Sequence, residues 1–217
     1  RSITLPSWPP RRIVSLVPSQ TELLYDLGLE EEVVGITKFC VRPDTWFQSK
    51  TRIGGTKTLN IQKIAALQPD LIIGNMEEND RAQIETLAER FPVWMSDVRT
   101  LAEAYDMIRR VGELTGKDRE AGDLVQKIQT VLTDFRHPAT VGDMPSAAYL
   151  IWRKPYMAAG GDTFIHEMMH VAGFENAFMH KNRYPEISPE ELSKTRPDVI
   201  LLSSEPYPFA KKHINTI

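Results

Sequence analysis

Short apolar runs alternate along the chain with segments whose apolar residues recur every three or four positions. "RRIVSLVP" (Arg11 to Pro18) reads as a short buried strand. "SQTELLYDLG" reads as the helix after it, with Ser19 as cap, Leu23, Leu24 and Leu27 as the apolar stripe and Gly28 as the stop. "VVGIT" (Val33 to Thr37) predicts a second strand, and a long loop from Lys38 to Thr58 follows. A helix over Ile61 to Leu67, a strand "DLIIG", a helix from about Asp80 to Arg90 and a strand "VWMSD" complete the first half. Strands and helices alternating at this spacing predict βαβ units and a parallel sheet. From Thr100 to Arg136 the period becomes helical, broken near Gly116-Lys117 with Asp118 as a new cap, and "AAYLIW" (Ala147 to Trp152) resumes the alternation.

The second half repeats the first. "NIQKIAALQPDLIIGNME" (Asn60 to Glu77) aligns with "SPEELSKTRPDVILLSSE" (Ser188 to Glu205) at a constant offset of 128 (197 − 69). Asn60 and Ser188 are both suited to cap a helix, and Pro189 with Glu191 adds a first-turn proline and a capping box. Pro69-Asp70 and Pro197-Asp198 each end a helix and open a strand, because proline disfavours helical geometry in the residue before it. The expected fold is therefore α/β, with two Rossmann-like lobes of similar topology, 1–99 and 140–217, bridged by helices in 100–139. In the second half the chain stops within the matching helix, so one further strand is expected beyond Ile217.

"HEMMH" (His166 to His170) matches H-E-x-x-H, in which one helix offers two histidines to zinc and a glutamate as general base. Three readings argue against a zinc hydrolase using His166, Glu167 and His170. The repeat aligns "HEMMHVAG" with "TELLYDLG", making this a packing helix with Thr21 and Tyr25 at the histidine positions. Its apolar face is Ile165, Met168, Met169 and Ala172, which leaves both histidines on the polar side. The third ligand of the extended pattern would fall on Asn176, with Glu186 or Glu190 only distant substitutes. His166 and His170 are thus expected to be surface residues, as are His137, His180 and His213, and no metal-ligand set or resident cofactor is expected.

Composition narrows the class. A net charge of −3 over 217 residues offers no basic patch for nucleic acid, and no apolar run is long enough to span a membrane. The single cysteine, Cys40, forms no internal disulfide and reads as a small buried filler rather than a nucleophile.

Four stretches together resemble the helical-backbone, or class III, periplasmic binding proteins, and among them the vitamin B12-binding members: "RRIVSLVPSQTELLYDLGLEEEVVGIT", "RIGGTKTLNIQKIAALQPDLIIG", "YLIWRKPYMAAGGDTFIHEMMHVAGFENAF" and "YPEISPEELSKTRPDVILLSSEPYPF". The resemblance runs from about Arg11 onward. It implies two lobes on a stiff helical connection, a ligand cleft between them, and a non-enzymatic, monomeric receptor. Such a receptor delivers a metal chelate to an ABC permease from the periplasm or cell surface. A corrinoid such as cobalamin is favoured, then haem or a ferric siderophore; a cytoplasmic chelate-handling protein is the alternative.

In parallel α/β lobes ligands sit beyond the carboxyl ends of the strands. Those ends carry Phe39, Trp46, Trp152, Tyr156 and Tyr184, which can stack on a flat macrocycle, and Arg42 and Arg153, which can meet its polar edges. Each aromatic taken singly is equally compatible with ordinary packing. Glu77 and Glu205 fall at equivalent places in the repeat, with Glu78 beside the first. The resemblance implies that such exposed glutamates, one per lobe, dock onto the permease.

Overall fold

In a computed structural model of the chain, residues 4–135 and 144–216 are described. They form two compact units: Arg1–Asp97 with Tyr105–Gln126, and Val98–Ala104 with Lys127–Ile217.

The first unit is built on β1 (Ile13–Ser15), α1 (Pro18–Asp26), β2 (Val33–Ile36), α2 (Asp44–Ser49), β3 (Thr51–Arg52), α3 (Ile61–Ala66), β4 (Leu71–Asn75), α4 (Arg81–Ala88) and β5 (Val93–Ser96). The five strands lie in the order β3-β2-β1-β4-β5, and every pairing is parallel. The apolar runs form the core, with Val14, Leu16, Ile53, Ile64, Ile72 and Leu87 buried together. Leu23, Leu24 and Leu27 are buried as the helical stripe requires. Ser19 does not cap α1. The helix begins one residue earlier, at Pro18, whose fixed φ suits the first helical position and whose missing N–H costs nothing there. The loop after β2 also contains a helical turn, α2, and the short strand β3.

The helical segment from Thr100 forms α5 (Leu101–Thr115) and α6 (Asp118–Phe135), separated at Gly116, whose φ of +70° ends the first helix. Gly112 is required for the corner: a Cβ there would stand 2.5 Å from the Cβ of Ala121.

The second unit contains β6 (Ser146–Trp152), β7 (Tyr156–Ala158), α7 (Phe164–Val171), β8 (Glu175–Asn176), β9 (Glu186–Ile187), α8 (Pro189–Thr195), β10 (Val199–Leu202) and a 3-10 turn over Lys211–Thr216. β6 pairs in parallel with β8 and β10, as β1 does with β2 and β4. The sheet is not purely parallel, however. β7 folds back antiparallel on β6, and β9 pairs antiparallel with β7. This hairpin has no counterpart in the first unit, and Arg153–Pro155 forms its turn, with Lys154 at φ +66°.

The repeat is visible bond by bond. Gln68 and Arg196, offset by 128 (196 − 68), both adopt the left-handed conformation, with φ of 46° and 47°. Asn60 accepts from the N–H of Lys63, and Ser188 from that of Glu191. Asp70 accepts the N–H groups of Arg11 and Arg12, each at 2.8 Å, and so ties β4 to the start of β1. Asp198 does the same for β10 and β6 through the N–H and Oγ of Ser146, at 2.8 and 2.7 Å. These bonds hold its carboxyl below the ordinary range. α1 and α7 also end alike: Gly28 and Gly173 have φ of +74° and +83°, and Leu29 and Phe174 donate back to Leu24 and Met169. The capping box of α8 is only half formed, because the Glu191 carboxylate pairs with Lys181 at 2.7 Å.

Candidate ligand-binding site

Each unit gathers its polar and aromatic residues where its strands end. In the first, β2 runs into Phe39, 52% exposed, with Lys38 Nζ 5.1 Å from the ring centre. Arg42 is also exposed on this loop. Trp46 must be taken out of the ligand-stacking set. It is fully buried, its Nε1 donates to Glu30 at 2.6 Å, and its ring meets Tyr25 edge-on at 5.4 Å. A ring with no accessible face cannot stack on a ligand. Cys40 is buried as expected, 3.1 Å from both the Thr21 and Thr37 hydroxyls, and burial pushes its thiol up.

The turn after β4 carries Glu77 and Glu78 and is held by a polar scaffold. Asn75 Oδ1 accepts the N–H groups of Glu77 and Glu78, and Lys57 Nζ donates to the Glu77 carbonyl at 2.7 Å. Asn79, 6% exposed, accepts from Asn75 N and donates to the carbonyls of Leu16 and Thr56. Gln20, also buried, donates to the carbonyl of Gly74 and to Ser96 Oγ. Glu78 is exposed and Glu77 half-buried.

The second unit brings more of the candidates together. Trp152, at the end of β6 and 38% exposed, packs edge-on against Tyr207, which follows β10, with ring centres 5.5 Å apart. Arg153 donates to the phenol oxygens of Tyr156 and Tyr207, which raise its pKa further above the ordinary guanidinium value. Tyr207 continues into Phe209 at 4.7 Å and His213 at 5.6 Å. Tyr156 is half-buried on β7, and Tyr184 is half-buried in the loop before β9. Glu205 is exposed in the turn after β10, the place Glu77 occupies after β4.

Tyr207, Phe209 and His213 are therefore members of the cluster that sequence reasoning missed as individuals. The aromatic density of "EPYPF" was the available signal. The surface expectation for His213 is also corrected: it is 6% exposed, and its Nδ1 accepts the N–H of Ala210 at 2.9 Å, which places the ring proton on Nε2. Burial first, then the charges of Arg153 and Lys212, hold its pKa below the usual histidine value. His180 is exposed, and His137 lies outside the described residues.

The H-E-x-x-H segment occupies α7. His170 is exposed, but His166 is half-buried with its Nδ1 shut off from solvent, so the surface expectation fails for that residue. Asn176 cannot act as a third ligand, since its Oδ1 accepts from Phe178 N and its Nδ2 donates to Ala159 O. Glu167 Oε1 receives the N–H of Leu101 at 3.5 Å. Among the described residues no three His, Cys, Asp or Glu side chains converge as a metal-binding set.

Two α/β units that share a repeated helix–strand segment, each with an aromatic or acidic surface at its strand ends, define a duplicated binding-protein architecture. The chain belongs to the periplasmic binding protein family, whose pattern matches residues 13–216. It is 29% identical over 201 residues to the uncharacterized ABC transporter substrate-binding lipoprotein YvrC of Bacillus subtilis, covering 88% of this chain and 63% of that one. The chain thus spans less than two thirds of that relative's length. The periplasmic vitamin B12-binding protein BtuF of Vibrio cholerae superimposes with a TM-score of 0.79 at 26% identity, covering 96% of this chain and 79% of that one. The periplasmic heme-binding protein RhuT from Roseiflexus sp. RS-1 superimposes with a TM-score of 0.78 at 26% identity, covering 88% and 76%.

Proposed function

We propose that the chain is the substrate-binding part of an ABC importer, working in the periplasm or at the cell surface as a monomer, and that it binds rather than transforms its ligand. Its ligand is a large metal chelate: a corrinoid such as cobalamin first, with haem or a ferric siderophore next. The carrying observation is the Trp152–Tyr207 pair with Arg153 held between two phenols. An aromatic edge beside a fixed cation suits a planar ligand with amide, carboxylate or phosphate substituents. The names of the Vibrio and Roseiflexus proteins support the same ligand class. Tyr156 and Tyr184, with Phe39 and Arg42 of the first unit, are the further proposed contacts. Residues 1–99 and 140–217 serve as the two lobes and 100–139 as their connection. Glu77 or Glu78, and Glu205, are the proposed permease contacts; at exposed sites such charges set encounter rate and orientation more than affinity.

Titration of the purified protein with cyanocobalamin, haemin and ferric siderophores tests this reading. Trp152→Ala is expected to weaken the tightest of these at least tenfold. Unchanged affinity for every ligand in that variant, or no binding of any of them by the parent protein, sinks the assignment.

A further inference from the structure

β4 and β10 are the same strand of the repeat, yet they sit differently in their sheets. β4 lies between β1 and β5, and Leu71, Ile72, Ile73 and Gly74 are all buried. β10 pairs with β6 and, among the described residues, with no strand on its other side. Ile200, at the position of Ile72 (200 − 128 = 72), is 37% exposed where Ile72 is 0% exposed. Val199, Leu201 and Leu202 are only half-buried. An unbroken Val-Ile-Leu-Leu run is typical of a strand covered on both faces, and open edges are normally guarded by charge, proline or shortness. The outer strands β3 and β9 follow that rule, each being two residues long with Arg52 or Glu186 in it. β10 does not.

The first unit shows what fits such an edge. Its β5 runs parallel to β4 in the register Ile72↔Val93, Ile73↔Trp94, Gly74↔Met95 and Asn75↔Ser96. The N–H groups of Ile72 and Met76 donate outward to the carbonyls of Pro92 and Ser96, and their repeat equivalents are Ile200 and Ser204. Phe91 and Val93 pack against the core that contains Ile72. The path of the chain matches as well: Lys211–Thr216 falls at repeat positions 83–88, inside α4, the helix that leads to β5. A helical crossover of this kind brings the next strand back beside its parallel neighbour in the right-handed sense. We propose that the open edge of β10 receives one further parallel strand of the same polypeptide, at about residues 221–224 (93 + 128 and 96 + 128), with apolar residues at about 219 and 221 (91 + 128 and 93 + 128) covering Ile200. The proposal is independent of the chelate reading. Such a strand would brace the turn that carries Glu205 as Ser96 of β5 braces Asn75, whose side chain holds the turn of Glu77 and Glu78.

The test compares the 217-residue chain with the chain extended by the next residues of its own gene through the expected strand. Hydrogen exchange at the Ile200 and Ser204 amides should slow roughly a hundredfold in the extended chain, while exchange at β6 changes far less. Ile200→Thr should lower the urea midpoint of the extended chain more than that of the 217-residue chain. Equal exchange rates in the two chains, equal effects of Ile200→Thr, polar residues at both 219 and 221, or a gene that ends at codon 217 each overturns the proposal. So does slow exchange at Ile200 in the 217-residue chain accompanied by a concentration-dependent mass, which would make a second copy the occupant of the edge.

Discussion

Asn79 offers a sharp test of how the acidic turn after β4 is held. Its side chain makes three bonds of two kinds: it accepts from Asn75 N at 2.9 Å and donates to Thr56 O at 3.0 Å and Leu16 O at 3.4 Å. Gly74 allows the approach, since a Cβ there would meet Asn79 Oδ1 at 2.6 Å. Asn79→Ala strands one N–H and two carbonyls in a buried setting. At roughly 1–3 kcal/mol for each group left truly unsatisfied, and with water reaching some of them, a loss of about 2–4 kcal/mol is expected.

Asn79→Asp is nearly isosteric, yet it replaces the donor with an acceptor facing two carbonyl oxygens. It should therefore cost at least as much as alanine at pH 7. Burial against carbonyls raises the pKa of the introduced carboxyl in the folded state above the unfolded value of about 3.9. A raised folded pKa gives a contribution that is full below the unfolded pKa and fades as pH rises through the folded one. The deficit relative to the parent should accordingly shrink as pH falls from 7 towards 4.5. Urea unfolding followed by tryptophan fluorescence, with unchanged m values, measures it. An Asn79→Asp protein within about 0.5 kcal/mol of the parent at pH 7, or a deficit that grows on acidification, refutes the reasoning.

Trp46→Phe keeps a buried ring but loses the Nε1 bond to Glu30, so denaturation should show a loss of roughly 2–4 kcal/mol with chelate affinity unchanged; a selective loss of affinity would return Trp46 to the ligand surface. The depressed pKa of His213 means that the folded state binds fewer protons than the unfolded one. Its contribution is present above the ordinary histidine pKa of about 6.5 and is lost as pH falls through that value towards the folded pKa. His213→Phe should flatten that part of the stability–pH curve, and an unaltered slope between pH 7 and 5 counts against a buried neutral ring.

Much of this arrangement is legible in the sequence because it depends on residues with strong local meaning. Pro69-Asp70 and Pro197-Asp198 mark their junctions through backbone restriction, and Gly28 and Gly173 mark helix ends through positive φ. Facing direction is harder to read. Trp46 and Trp152 both fall in aromatic-rich stretches near strand ends, yet only tertiary packing turns the first inward and leaves the second 38% exposed. The β6–β7 hairpin escaped because Lys154-Pro155 reads only as a turn, and its second strand is three residues long. His213 escaped because the rings around it are contributed by Tyr207 and Phe209, and their convergence depends on how the chain bends after β10.

The aspartate latches at Asp70 and Asp198 secure the beginnings of the strands, whereas the residues that differ between the halves stand at the other tips. Asn79 and Tyr207 occupy the same repeat position (207 − 128 = 79), one acting as a bolt and the other as part of an aromatic cluster. Such separation leaves the tip residues free to diverge between the two copies while the folding instructions at the opposite end stay untouched.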